Sequence, residues 1–330
     1  MALKNQSDIS KPRNRSIVGR FYKRNESSAV TAALLLLLVF TFFTDNFLTP
    51  YNMFNLSRNV AIFIFVALGQ AMVLVIGAMN LSLGAIGAFS VVTMGYCTQM
   101  LGISPWISAL IALAVGMLCG WFNGIFVIKL KLNAFIITLA TSFIFKGLSI
   151  GITKGFPYAN IPKDFTVLGR GGILGISYLF WLALIFMLLM FVMFRFTLVG
   201  RQILATGGNA EAARLSGIRT NRIIVLCNIL SGFFAAFAGM MYISRMGSAT
   251  PQVGDDWLII SFAVAVIGGT ALSGGVFTSI GFICSGIMIA FIKNGLVMMH
   301  VDVYYEQTFL GAVILLSVAV ESLRQRFTSK

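Results

Sequence analysis

Long apolar runs, separated by short turn-forming or charged segments, dominate the chain. A membrane-spanning helix needs about 20 predominantly apolar residues, and the runs reach this length without strict alternation of apolar and polar positions. Such alternation is typical of a membrane β-barrel, so its absence favours helices. The pattern predicts ten membrane helices, at residues 27–44, 59–79, 82–101, 104–127, 133–152, 177–198, 223–244, 257–272, 276–298 and 307–323.

The composition agrees with this pattern and narrows the class of protein. Of the 330 residues 58% are hydrophobic and only 10% are charged, whereas a soluble domain carries about 25% charged residues. Soluble enzymes, nucleic-acid-binding proteins and disulfide scaffolds are therefore excluded. We predict an all-α, polytopic membrane-helix bundle that contacts lipid and binds no nucleic acid.

The basic residues predict the orientation in the membrane, because Lys and Arg concentrate on the cytoplasmic side. The net charge is +14, and five of the 24 basic residues lie on the predicted outer side: Arg58, Lys154, Lys163, Arg170 and Arg245. We predict a cytoplasmic basic arm at 1–28, a single membrane domain at 29–323 and a cytoplasmic tail at 324–330. No small-residue cleavage site follows the first apolar run, so that run is predicted to be a helix and not a signal peptide.

One inner loop, residues 199–222, predicts a short helix at about 209–217. Asn209 is a suitable N-cap, Glu211 suits the positive end of the helix dipole, and Gly217 can adopt the left-handed conformation after the last turn. Two interpretations fit these residues equally well. The helix can lie on lipid headgroups, with Arg214 and Arg219 facing anionic lipid, or it can dock a cytoplasmic partner.

Two segments that end predicted helices resemble each other. VIGAMNLSLG at 75–84 and VIGGTALSGG at 266–275 are identical at six of ten positions. Chance similarity is a real alternative in a chain so rich in Gly, Leu, Val and Ile. If the repeat is genuine, the segments are equivalent helix breaks of the kind that carriers place near their substrate path.

Groups that commonly carry catalysis or bind metals are sparse. The chain has no phosphate-binding G-x-x-x-x-G-K-[ST] motif, one histidine, His300, and four cysteines without metal-ligand spacing. The acidic residues fall at termini, loops or helix ends, which counts against proton-driven transport but leaves sodium coupling open. We predict no catalytic residue, metal site or cofactor. Lys146 and Lys293, inside predicted helices, are expected to reach the headgroups, with substrate contact as the alternative.

Neutral polar side chains inside the predicted helices are the candidates for a substrate path. Such groups suit a hydroxylated neutral solute, although most polar residues in bundles serve helix packing. Asn80 is the strongest candidate, because it lies at a glycine-flanked break. The proposed set is Gln70, Asn80, Ser82, Asn123, Thr138 and Thr141.

The inner loop also carries a recognisable motif. GRQILATGGNAEAARLSGI at 200–218 resembles the signature of permease subunits of ATP-binding-cassette importers for ribose, arabinose, galactose and autoinducer-2. The resemblance extends through GAMNLSLGAI at 77–86, LNAFIITLAT at 132–141, LSGFFAAFAGMMYISRMGSATP at 230–251 and AVIGGTALSGGVFTSIG at 265–281. It therefore covers most of the chain.

This resemblance implies a type II importer permease with ten helices, in the bacterial inner membrane, with both termini cytoplasmic. It implies a second permease subunit, an ATPase with two cassettes, and an extracytoplasmic sugar-binding protein. ATP hydrolysis would then lie on the separate ATPase, docked on a coupling helix formed by Asn209, Glu211, Ala212, Ala213, Arg214 and Gly217. The transported solute would be a neutral monosaccharide or a similar polyol.

Two points qualify what the resemblance implies. The break motif of sugar permeases usually reads G-x-D-L-S-x-G, and this chain has Asn80 in place of the acid, which puts the substrate role of that position in doubt. The alternative function is a secondary sugar transporter or facilitator that works without partners.

Overall fold

The computed structural model describes residues 26–44 and 46–302, together with residues 305, 307–309, 311–312 and 315. The predicted basic arm at 1–28, apart from its last three residues, and the predicted tail at 324–330 lie outside the described residues. Of the predicted tenth helix at 307–323, the structure describes six residues, all in helical conformation.

Helices make up most of the described chain, which confirms the predicted helical membrane architecture. The helices are α1 (Glu26–Phe43), α2 (Pro50–Leu74), α3 (Leu83–Gln99), α4 (Pro105–Leu130), α5 (Ala134–Thr153), α6 (Lys163–Arg170), α7 (Tyr178–Phe196), α8 (Leu198–Gly208), α9 (Ala210–Leu215), α10 (Thr220–Met246), α11 (Trp257–Ile267) and α12 (Ser279–Met298). Between α6 and α7, a small hairpin pairs β1 (Gly172–Ile173) with β2 (Ile176–Ser177).

Within the described residues, six helices are long and apolar enough to cross a membrane: α2, α4, α5, α7, α10 and α12. α1 and α11 are shorter apolar helices. The predicted helix 257–272 ends five residues early, because Gly268 and Gly269 stop α11 at Ile267. Its 11 residues span roughly 16 Å, about half of the hydrocarbon layer.

The second predicted helix starts earlier than its apolar pattern indicated. We predicted residues 59–79, whereas α2 begins at Pro50. Pro50 occupies the first turn and the Thr49 hydroxyl accepts a hydrogen bond from the Asn52 amide at 3.4 Å. Proline and a threonine cap both favour a helix start. Polar residues from Asn52 to Asn59 hid this turn from the hydropathy pattern.

α2 lies at the centre of the bundle, with a continuous buried stretch from Val60 to Leu74. It packs against α10, α11, α12 and α7. A helix that is apolar on all sides is buried on all sides, so α2 forms the axis around which the other helices assemble.

Small residues bring α4 and α10 into close contact. Gly116, Gly120 and Gly124 form one stripe on α4 and face Val225, Asn228 and Gly232 of α10. A Cβ atom on Gly116 would lie 2.7 Å from the Gly232 carbonyl oxygen, and one on Gly120 would overlap the Asn228 carbonyl oxygen. Because apolar burial gives little driving force between helices in lipid, such close backbone packing is a principal source of association.

The connections predicted to lie on the outer side are joined to each other by backbone hydrogen bonds. Tyr158 and Ala249 exchange two of them, at 2.9 and 2.8 Å, and the Ile161 amide donates to the Gly247 carbonyl at 3.2 Å. The Arg170 guanidinium at the end of α6 donates to the carbonyls of Arg245 and Met246, each at 3.2 Å. Residues 154–170 are thereby fixed over the C-terminal end of α10.

Replacing Gly120 with Ala tests the α4–α10 contact. The added methyl group has no room beside Asn228, so the purified protein should lose about 1–3 kcal/mol of stability, the usual cost of overpacking. The thermal unfolding temperature in detergent measures this loss. Gly147→Ala is the matched control, because a Cβ at Gly147 on α5 has no neighbour within 4 Å. Equal unfolding temperatures for the two variants would contradict the contact.

Candidate functional site

The first helix break, residues 75–82, separates α2 from α3. α2 ends where Gly77 adopts a left-handed conformation (φ 74°) and the Ala78 amide donates to the Val73 carbonyl at 3.1 Å. This 6→1 bond is the helix-ending pattern that glycine favours. The chain then turns back into the bundle through Asn80 before α3 begins.

The second break, residues 268–278, separates α11 from α12 and ends its first helix in the same way. Gly269 is left-handed (φ 87°), and the Thr270 amide donates to the Ala265 carbonyl at 3.0 Å. Both similar sequence segments are therefore helix breaks. The aligned residue of Gly77 is Gly268, but Gly269 adopts the left-handed conformation, so the structural correspondence is displaced by one residue.

Three of the six predicted path residues, Asn80, Ser82 and Asn123, form one hydrogen-bond network at the first break, and a fourth, Thr138, bonds to the backbone of the break. Asn80 accepts from the Ser82 amide at 2.9 Å and from the Ser82 hydroxyl at 2.7 Å, and its own NH2 group donates to the Ser231 hydroxyl at 2.9 Å. The Asn123 amide donates to the Ser82 hydroxyl at 2.8 Å. The Thr138 hydroxyl accepts from the Leu81 amide at 3.1 Å.

This network is fully enclosed in the conformation described. Asn80, Ser82, Asn123, Thr138 and Ser231 all have zero exposure. Since each unpaired polar group in such an interior costs free energy, the mutual bonding stabilises the non-helical backbone of the break. Ser231 was absent from the predicted set, and its position in the middle of the apolar run of α10 gives no separate signal in the sequence.

The other two predicted path residues lie apart from this network. The Thr141 hydroxyl, one turn further along α5, donates to the Thr138 carbonyl at 3.3 Å. Gln70 on α2 is fully buried, and neither polar atom of its amide has a hydrogen-bond partner among the described residues. The Asn123 side-chain oxygen likewise has none.

The two breaks meet each other and the C-terminal end of α8 at a junction of glycines. The Gly275 amide donates to the Val75 carbonyl at 2.8 Å. A Cβ on Gly207 would overlap that same carbonyl oxygen and lie 2.7 Å from the Gly275 nitrogen. A Cβ on Gly274 would lie 2.7 Å from the Gly207 oxygen. We call Val75, Gly207, Gly274 and Gly275 the break junction.

The predicted inner helix is confirmed as α9, which directly follows this junction along the chain. The Asn209 side-chain oxygen accepts from the amides of Glu211 and Ala212 at 3.0 and 2.9 Å, and Gly217 is left-handed (φ 86°). Ala213 is buried, whereas Glu211, Ala212, Arg214 and Leu215 are exposed. Leu215 is 80% exposed, which leaves a large apolar side chain on the surface beside α9.

The two lysines inside the predicted membrane helices pair with adjacent aspartates. Lys146 of α5 pairs with Asp255 at 2.7 Å, and Lys293 of α12 pairs with Asp256 at 2.8 Å. No local pattern in the sequence indicates these partners. In the described residues, no group of three His, Cys, Asp or Glu side chains could hold a metal ion.

Comparison with known proteins gives consistent matches along nearly the whole chain. The family described as "Branched-chain amino acid transport system / permease component" matches residues 52–318. The ribose import permease protein of Escherichia coli (strain K12) is 32% identical over 306 residues, which cover 91% of this chain and 94% of the relative. No solved structure matches the chain significantly.

Two further relatives extend the comparison. The ribose import permease protein of Bacillus subtilis (strain 168) is 33% identical over 290 residues, which cover 87% of this chain and 89% of the relative. The autoinducer 2 import system permease protein of Yersinia pseudotuberculosis serotype O:1b (strain IP 31758) is 31% identical over 308 residues, with 93% and 87% coverage.

Replacement of Asn80 tests the enclosed network. Asn80→Leu removes the acceptor of two Ser82 bonds and the donor to Ser231, so stability should fall by about 1–3 kcal/mol for each polar group left unpaired. Asn80→Asp, whose carboxyl group takes up a proton at this fully buried position, keeps an acceptor for Ser82 and a donor for Ser231, so it should lose less. Thermal unfolding in detergent measures both variants. A Leu variant as stable as the Asp variant would contradict this role of the network.

Proposed function

The chain belongs to the family described as "Branched-chain amino acid transport system / permease component", and we propose that it conducts a neutral monosaccharide or similar polyol across the membrane. It is the multi-pass membrane subunit of an ATP-binding-cassette importer, with ATP hydrolysis on a separate subunit. The observation that carries the choice of substrate is the similarity over nine-tenths of the chain to permeases named for ribose import.

The chemistry of the first break supports a neutral solute over an amino acid. A zwitterion needs charged or strongly dipolar partners for both its ammonium and carboxylate groups. The polar side chains at the break are amides and hydroxyls, whose combined donors and acceptors match those of sugar hydroxyls. Asn80, Ser82 and Asn123 are bonded to each other in this conformation, so the solute would contact them once the break opens.

We propose that α9 is the coupling helix, with Asn209, Glu211, Ala212, Ala213, Arg214 and Gly217 forming the ATPase-docking element. Asn209 and Gly217 fix the two ends of the helix, and the buried Ala213 anchors it to the permease. The exposed Ala212, Arg214 and Leu215 would contact the ATPase. An exposed apolar side chain between charged ones suits a protein interface better than contact with water alone.

The break junction would carry motion from the ATPase to the membrane helices. α9 begins three residues after Gly207, and Gly207 touches the first break at Val75 and the second at Gly275. Because no side chain fits between these backbones, displacement of α9 and α8 would displace the two breaks and change the distance between them. Coupling of this kind needs contiguous elements with two discrete arrangements.

The remaining partners and the orientation follow from the same proposal. The permease would pair with a second permease subunit, and a periplasmic or surface sugar-binding protein would dock on the outer face. The chain would lie in the bacterial cytoplasmic membrane with both termini inside, residues 1–28 and 324–330 forming the cytoplasmic arm and tail. The inner concentration of Lys and Arg supports this orientation.

Replacing Ala212 with Glu tests the docking role of α9. The variant adds a charge to the exposed face, so the ATPase should no longer co-purify with the tagged permease from native membranes. The control Gln202→Glu places the same charge on the exposed surface of α8 and should retain the ATPase. Unchanged ATPase recovery with Ala212→Glu would contradict the assignment. Sugar uptake by the chain alone in liposomes would support the secondary transporter instead.

Replacing Gly207 with Ala tests the break junction. The methyl group would press on Val75, so ATP-driven uptake should fall about tenfold, the order of a coupling energy of 1–2 kcal/mol. ATPase binding should persist, because α9 is unchanged. The neighbouring Gly208→Ala has open space around the new methyl group and should transport normally. Equal uptake by the two variants would rule out transmission through the junction.

A further inference from the structure

A separate cavity of about 440 Å³ opens among the outer ends of α2, α10, α11 and α12. Its volume falls within the range of about 300–1,000 Å³ that is typical of small-molecule sites. The predicted path residues are not part of its lining. Six polar side chains of the lining matter to the argument below: Asn52, Asn59, Arg245, Asp256, Lys293 and Asn294.

Hydrogen bonds hold these polar side chains in fixed positions. Asn294 donates to the Asn52 side-chain oxygen at 2.7 Å, and Asn52 in turn donates to the Phe47 carbonyl at 2.7 Å. Arg245 donates to the Asn59 side-chain oxygen. Lys293 donates to Asp256 at 2.8 Å. Four different helices, or the residues just before them, therefore contribute to one preformed polar wall.

The groups on this wall suit a ligand with many hydroxyls. The Asn59 oxygen is occupied by Arg245, which leaves the NH2 group of that amide as a donor, and the Asn294 oxygen remains an acceptor. The Asp256 carboxylate has further lone pairs beyond the one used by Lys293. A sugar hydroxyl both donates and accepts, so it can use all three groups.

The charged side chains of the lining are Arg245, Lys293 and Asp256. The Lys293 ammonium is paired with the Asp256 carboxylate, and the Arg245 guanidinium donates to the neutral Asn59 amide, so each of these groups keeps further donors or acceptors for the hydroxyls of a neutral sugar. The aromatic rings of Phe63 and Tyr242 complete the wall. Apolar ring faces beside placed polar groups are a usual composition for a small-molecule site.

We propose that this outer cavity is a monosaccharide-binding subsite, where the permease holds the sugar before it reaches the helix breaks. The proposal rests on the transport function above and adds a location for the solute on the outer side. The Asp256–Lys293 pair ties α11 to α12, the two helices on either side of the second break. Asp256 directly precedes α11, and α11 ends at the second break. A sugar bound at Asp256 would therefore contact one end of the helix that leads into that break.

Equilibrium binding to the permease–ATPase complex in lipid nanodiscs, without binding protein, tests the subsite. The probes are D-ribose, L-arabinose, D-galactose and myo-inositol, each measured by isothermal titration calorimetry, with inorganic phosphate as the anionic comparison. At least one neutral probe should bind saturably, and Asn59→Ala should weaken its affinity about tenfold, which corresponds to 1.4 kcal/mol.

Asn55→Ala is the matched control, because Asn55 is an amide one turn away on α2 that pairs with Arg58 and does not line the cavity. It should bind the probe like the unmodified complex. Since Asn59→Ala can loosen Arg245, Asn294→Ala provides a second test on a different helix and should also weaken binding. Thermal unfolding of each variant confirms that the fold persists.

Three results would overturn the subsite. These are the absence of saturable binding by every neutral probe, binding of phosphate in preference to the sugars, and equal sugar affinity in the Asn59, Asn294 and Asn55 variants. Each would leave the transport function standing if the ATPase still co-purifies and ATP-driven uptake persists. Loss of ATPase association in the unmodified protein would instead refute the proposed function.

Discussion

A backbone hydrogen bond from the Gly275 amide to the Val75 carbonyl joins the second helix break to the first. The bond is possible because Gly207, Gly274 and Gly275 bring three chain segments into backbone contact. In a membrane, irregular backbone is tolerated where protein covers it and satisfies its polar groups. The break junction meets this condition, and the positions of α3, α11 and α12 depend on it.

The same constraint explains the polar side chains beside the first break. An amide in the interior of a membrane protein is costly unless it is bonded, and Asn80 bonds to Ser82 and Ser231. Such a network holds one arrangement firmly while its neutral groups remain able to exchange partners with a hydroxylated solute. The transport proposal depends on two conformations of this break. In the closed one its polar groups bond to each other, and in the open one they bond to solvent or to the solute.

Hydropathy and local capping predicted much of the fold. The apolar runs located most of the long helices, and Asn209 and Gly217 correctly marked the ends of α9, because these signals act over a few neighbouring residues. The sequence comparison of 75–84 with 266–275 correctly located two helix breaks. The comparison did not reveal that Gly269 is the left-handed residue after α11, because tertiary packing decides which of the two adjacent glycines adopts that conformation.

The parts that escaped prediction depend on contacts distant in sequence. Gly207 contacts Val75 and Gly275, and Lys293 pairs with Asp256, although no local pattern connects these positions. The outer cavity likewise needs four helix ends to converge. For the candidate path, residue type selected Asn80, Ser82, Asn123 and Thr138, which the structure brings together at the first break, but their burial follows from the assembled bundle.

The separation of the two breaks during the ATP cycle tests the central claim most directly. Spin labels on Ile76→Cys and Leu272→Cys, with the four native cysteines replaced, report this distance in the complete importer by electron paramagnetic resonance. Both positions adjoin the break junction and have exposed surface. The account predicts that the distance distribution shifts when ATP binding is trapped and returns after nucleotide release. Identical distributions in the two states would contradict it.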